Sequence, residues 1–137
     1  MDYLQSLAVS AAGMSLERTR VEAATRNLAF ANTPQAAAGG FQPQRVVMRA
    51  GGAGWLDALA AAAPQAQLQP AAGAPRLVLE PGHPLADERG FVAYPAVDVA
   101  TEMVTLMSAA RGYEANVAAL NTARSMALRT LDIGKGT

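Results

Sequence analysis

The chain has 137 residues, of which 51% are hydrophobic but only 5% aromatic, and its 11 basic and 11 acidic residues cancel. Much of the apolar fraction is alanine, which buries little area, so one copy can build only a thin core. No basic stripe is present to meet nucleic acid or an anionic membrane, and the lack of cysteine excludes disulfides, zinc–thiolate clusters and thiol catalysis.

The opening residues, MDYLQSLAVSAAGMS, contain an Ala-Val-Ser-Ala stretch that resembles a signal cleavage site. However, Asp2 stands where a basic residue belongs, and Gln5 and Ser6 interrupt the apolar run, so no cleaved signal peptide is expected. The longest apolar run, residues 56 to 63, is broken by Asp57 and is far shorter than the ~20 residues of a membrane span. The expected protein is soluble, at least until it assembles.

Residues 3 to about 32 read as a helix, with Asp2 as its N-cap and Asn32-Thr33-Pro34 as its stop. Gly13 lies in mid-helix at a cost of ~1 kcal/mol relative to alanine. Either the helix tolerates that cost or a neighbouring helix comes close there.

From Pro34 to Pro75 the chain is rich in Ala, Gly, Pro and Gln and is expected to be mostly a mobile loop. Within it, residues 45 to 48 form a β-like run and residues 55 to 63 suit a short helix or strand, with Trp55 anchoring the loop to the core. Residues 76 to 79 and 91 to 94 are strand-like and flank Pro81-Gly82-His83-Pro84, which predicts a hairpin with a long, turn-rich loop. Pro95 stops the second strand.

Asp98 then offers an N-cap, and Glu102 falls in the first turn of a last helix predicted over residues 99 to 132, ending before Gly134. That helix would span ~50 Å.

Both terminal helices carry coiled-coil spacing. The first has Leu4, Leu7, Ala11, Met14, Val21 and Leu28. The second has Val99, Met103, Leu106, Ala110, Tyr113, Val117, Leu120, Ala127 and Leu131. Arg18 and Arg124 interrupt these seams, and Asn116, Asn121 and Ser125 flank the second as a polar face that could meet further helices. The expected fold is mainly α with a small β part (α+β): the two long helices pair as an antiparallel coiled coil, with a loop-rich β-hairpin region between them. The expected organisation is 1–33 and 98–137 as one helical core and 34–97 as the segment between. Such thin helices are expected to fray in the free chain and to order on assembly.

No constellation for catalysis is visible. His83 is the only histidine and sits in a turn, and Asp87 and Glu88 read as polar loop residues. The glycines in AGGAGW lack the following Lys-Ser/Thr of a phosphate loop. The expectation is a structural protein: no enzyme, no cofactor, no metal and no small-molecule substrate. A soluble dimeric helical-hairpin adaptor or export chaperone is the alternative.

Three stretches together resemble the rod and hook axial proteins of the bacterial flagellum, in particular the proximal-rod family of the FlgC type. SAAGMSLERTRVEAATRNLAFANT carries the motif residues Asn27, Leu28, Ala29, Ala31, Asn32 and Thr33. GGFQPQRVVM resembles the family's following strand. The span from Glu80 to Gly134 carries Pro81-Gly82-His83-Pro84, Gly90-Phe91-Val92 and Tyr113-Glu114-Ala115-Asn116-Val117. Two positions depart from the pattern: Phe30 replaces an asparagine, and Ala96 falls where Pro-Asn-Val would run.

The resemblance implies a subunit of the basal-body rod, the periplasm-spanning drive shaft that carries motor torque to the distal rod and hook. It implies type III export without a cleaved signal. The implied partners are further copies, other rod subunits, the base of the rod at the inner-membrane ring and, during secretion, the export apparatus.

Overall fold

The computed structural model describes residues 3–35, 40–49 and 65–135. The order is α1 (Tyr3–Phe30), β1 (Gln44–Arg49), β2 (Gln65–Pro70), β3 (Arg76–Leu79), β4 (Phe91–Tyr94) and α2 (Val99–Lys135). Trp55, the predicted element at 55 to 63 and the Asp2 cap lie outside the described residues.

The helices of 28 and 37 residues are about 42 and 55 Å long. They pair antiparallel, as the sequence predicts: Gly13 lies against Asn116, Glu17 against Gly112, and Asn27 bonds to Glu102. Each step forward along α1 is matched by an equal step back along α2. α1 ends as expected in a turn, where Ala31 N–H donates to the Leu28 carbonyl at 3.3 Å and Thr33 N–H to that of Phe30 at 3.0 Å.

At the start of α2, Asp98 Oδ1 accepts from Ala100 N–H at 3.1 Å and its Oδ2 from the Thr101 hydroxyl at 2.5 Å. These bonds, the Thr101 hydroxyl first, hold its carboxyl below the usual value of 3.8. The predicted stop before Gly134 is not observed, since α2 runs on to Lys135. Gly134 is exposed in the last turn, where a glycine costs only about 1 kcal/mol relative to alanine and does not by itself end the helix.

The β region comprises two antiparallel hairpins. The predicted one pairs β3 with β4 and sets Val78 opposite Val92, whose side chain is fully buried. In its loop, Asp87 Oδ1 accepts from Arg89 N–H at 2.9 Å and Phe91 N–H at 2.8 Å. Gly90 adopts a φ of 82°, which side-chain-bearing residues rarely take. His83 Nδ1 accepts from Leu85 N–H at 3.1 Å, so the lone histidine helps to hold this turn.

The other hairpin corrects the expectation of a loop: Gln65–Pro70 is a strand, paired with β1 so that Leu68 opposes Val46. The segment QAQLQP has none of the β-branched residues that mark strands, and its order comes from the partner strand. Gln35 ties the segment after α1 to β4, its N–H donating to the Ala93 carbonyl at 2.8 Å.

The core is small. Among the described residues its buried apolar side chains are chiefly alanines, Ala23, Ala24 and Ala109 on the helices and Ala31 in the turn after α1, with Val92 and Ala93 of β4.

Candidate assembly interface

The row on which the helices meet is set by side-chain size. Gly13, Glu17 and Asn27 of α1 lie opposite Asn116, Gly112 and Glu102 on α2, and Ala24 of α1 and Ala109 of α2, on the same rows, are buried with Asn27. Small residues let two helices come close, and bulky ones are displaced to the flanks. The seams of large apolar residues flank this row and do not coincide with it. On each helix they run one residue later: Met14, Val21 and Leu28 on α1, and Met103, Leu106, Ala110, Tyr113 and Val117 on α2.

One residue turns a helix by about 100°. Because the two helices run in opposite directions, a step forward on each carries both seams to the same side of the pair. A step back carries the chain to the other side. There Ala23 and Thr101, with Ala24, Gln44, Val46 and Thr105, line a groove between the helices and β1. The pair thus has a side approached by β1 and an opposite side that carries both seams.

Seam residues are half-buried or open. Leu7, Met14, Val21, Leu28, Leu106, Val117 and Leu120 are half-buried, and Ala11 and Ala110 are exposed. Val99, Met103, Tyr113 and Leu131 are also exposed, with Leu131 at 63%. Ala127 is half-buried, and the side chain of Leu4 lies outside the described residues. Arg18 points outward and pairs with Glu22 at 3.1 Å, with 76% of its side chain exposed, and Arg124 is exposed.

Asn116 does not belong to an outward polar face, because its amide packs on Gly13 of α1 while its Nδ2 donates to the Gly112 carbonyl at 2.8 Å. Asn121 and Ser125 are exposed.

Asn27 is the junction of the molecule. It is 1% exposed, and its Nδ2 donates to the Gln44 carbonyl at 2.7 Å and to Glu102 Oε1 at 2.9 Å. Its Oδ1 accepts from Gln44 N–H at 2.9 Å. One side chain thus fixes α1, the first residue of β1 and the first turn of α2 with its hydrogen-bonding groups satisfied.

Of the other motif residues, Ala29, Asn32, Thr33, Pro81, Gly82 and Glu114 are exposed, whereas Ala31 and Val92 are buried. Of the two departures from the family pattern, Phe30 stacks on Phe41 with ring centroids 4.5 Å apart, which gives this chain an aromatic link from helix end to loop. Ala96 sits against the bare face of Gly73, where any side chain on that glycine would collide with it.

The described residues contain no group of three or more metal-ligating side chains, and no helix among them is long and apolar enough to cross a membrane.

Comparison with known proteins agrees with this architecture. Residues 88–133 match the family model described as flagellar basal body rod FlgEFG protein C-terminal. The chain is 36% identical over 144 residues to the flagellar basal-body rod protein FlgC of Escherichia coli O6:H1, covering 98% of this chain and all of that protein. It is 32% identical over 155 residues to FlgC of Bacillus subtilis, with 98% of this chain and all of the relative covered. Over 60 residues, 44% of this chain and 45% of the relative, it is 57% identical to FlgC of Salmonella typhimurium. A full-length match of this kind, on a pair of long terminal helices with hairpins between them, places the chain in the FlgC family of flagellar basal-body rod proteins.

Proposed function

We propose that this chain is a structural subunit of the flagellar basal-body rod and that its two seams are the contact to neighbouring subunits. The observation that carries the reading is the end-to-end similarity to FlgC rod proteins. The sided helix pair supports it: a thin alanine core is closed within the chain, while the larger apolar residues remain on one flank. Burying a valine- or leucine-sized side chain against a neighbour contributes ~1.5–3 kcal/mol. A row of such contacts, repeated from subunit to subunit, stiffens a tube. Contacts between unlike faces of identical chains build helical arrays naturally.

In this reading the subunit is exported through the type III apparatus without a cleaved signal and takes its place in the periplasm-spanning proximal rod. There it contacts further copies, other rod subunits and the base of the rod at the inner-membrane ring, and it carries torque to the distal rod and hook. Its work is mechanical, and no catalytic role is assigned to it.

The test is an in-frame deletion in the source bacterium, scored by swimming and by imaging of basal bodies. The expected result is loss of motility with structures arrested at the membrane ring, restored by the intact gene. Normal filaments and swimming would overturn the proposal.

A further inference from the structure

The close approach of α1 and α2 is built from two interlocking pairs. On α1 a glycine is followed four residues later by a polar residue, Gly13 and Glu17. On α2 the same spacing recurs as Gly112 and Asn116. Antiparallel pairing sets each glycine under the other helix's polar side chain. A Cβ placed on Gly13 would stand 2.6 Å from Asn116 Oδ1, and one on Gly112 would stand 2.9 Å from Glu17 Cδ, both shorter than real Cβ contacts allow.

The two polar side chains have little room to yield. Asn116 Nδ2 is held by the Gly112 carbonyl at 2.8 Å. The Glu17 carboxylate accepts from Arg20 Nη1 at 3.0 Å, and its side chain is only 14% exposed. Gly13 is the sole glycine of α1, and besides Gly112 the only one in α2 is Gly134, near its far end. A slip of one turn would set Asn116 against a residue that bears a Cβ. Parallel pairing would set glycine on glycine and Glu17 on Asn116, leaving a void beside a collision.

We infer that Gly13, Glu17, Gly112 and Asn116 form a clasp that determines the register and antiparallel direction of the α1–α2 pair. Where many similar amphipathic helices are packed side by side, such a clasp marks the two that belong together and holds both seams on one side. The clasp itself does not depend on the rod reading, since it is a property of the single chain and is tested there.

The test uses the full chain, which has no cysteine of its own. Spin labels are attached through Thr25→Cys and Thr122→Cys, two exposed positions far apart along the strut, and their separation is measured by pulsed electron resonance beside thermal unfolding. Gly13→Ala, Asn116→Ala and the double variant are compared with the parent.

An unhindered Gly→Ala change within a helix stabilises. The clasp predicts the opposite sign: Gly13→Ala lowers Tm by about 3–6 °C and moves part of the label distances by about 5 Å, one helical turn. Adding Asn116→Ala restores both the single distance and the Tm. The inference is overturned if Gly13→Ala raises Tm, or if the distances stay unchanged in every variant. Should Gly13→Ala fail to fold, the double variant decides: folding with the parent distance supports the clasp, and failure to fold overturns it.

Discussion

Asn27 shows how much one polar side chain can hold in a chain with so small a core. Its three hydrogen bonds, to Gln44 N–H, the Gln44 carbonyl and Glu102, reach two elements distant in sequence. Removing a buried partner costs more than making the bond gains, because the groups left behind stay dry and unpaired. Asn27→Asp is the sharper probe. It keeps the size and one acceptor but replaces the Nδ2 donor with a charge aimed at a carbonyl and at Glu102. The expected loss is about 2–4 kcal/mol in urea unfolding, with Asn27→Ala similarly severe, and a loss below about 0.5 kcal/mol would show the junction to be incidental. In the sequence Asn27 is legible only as part of a motif. Nothing local tells that its partners lie 17 and 75 residues away. Phe30 is likewise opaque until Phe41 is found stacked on it.

At the scale of elements, what could be read from the sequence was what local chemistry determines. Asn32-Thr33-Pro34 closes α1, Asp98 opens α2, and Pro95 ends β4, each through a backbone group that the residue supplies or lacks. β2 was hidden because QAQLQP has no strand signature and is ordered by β1. The seams show a subtler displacement. Periodicity locates the large apolar residues, whereas the closest approach of the helices is at Gly13 and Gly112, so the pattern found the helix pair and the flank of its closest row but not the row itself.

The Asp98 cap gives a prediction that belongs to this scale. Its carboxyl is held below its ordinary value by the Thr101 hydroxyl and Ala100 N–H, so the charged form is the one the fold favours. The resulting stabilisation is complete above the unfolded value of about 3.8 and is lost as pH falls through the lower folded value. A pH titration followed by amide exchange should show the first turn of α2 losing protection below pH 4. In Asp98→Ala that turn should be less protected at neutral pH, with a weaker acid transition. An unchanged acid profile in Asp98→Ala would assign the effect to another carboxylate.

For the whole molecule, the arrangement separates two tasks that a thin helical pair would otherwise confuse. The contact row, the Asn27 junction and the β1–β2 hairpin stabilise the single chain, and in the proposed rod assembly the seam side meets the neighbouring subunits. A charge on that side should therefore damage assembly while sparing the fold. Val117 is half-buried on the flank, and Met103, 53% exposed, lies about four turns away on the same side. Val117→Asp and Met103→Asp each remove an apolar contact worth ~1.5 kcal/mol or more and would bury an unpaired carboxylate in every subunit contact, which costs several kcal/mol per site. Both are expected to abolish swimming and rod assembly while the purified chain keeps the helical circular dichroism of the parent. Ala115→Asp, on the other side of α2 and exposed, is the matched control and should impair motility far less. If the three were equally damaging, the apolar flank would hold no special place in the assembly. If Val117→Asp and Met103→Asp swam normally, the contact between subunits would have to be sought on another face of the strut.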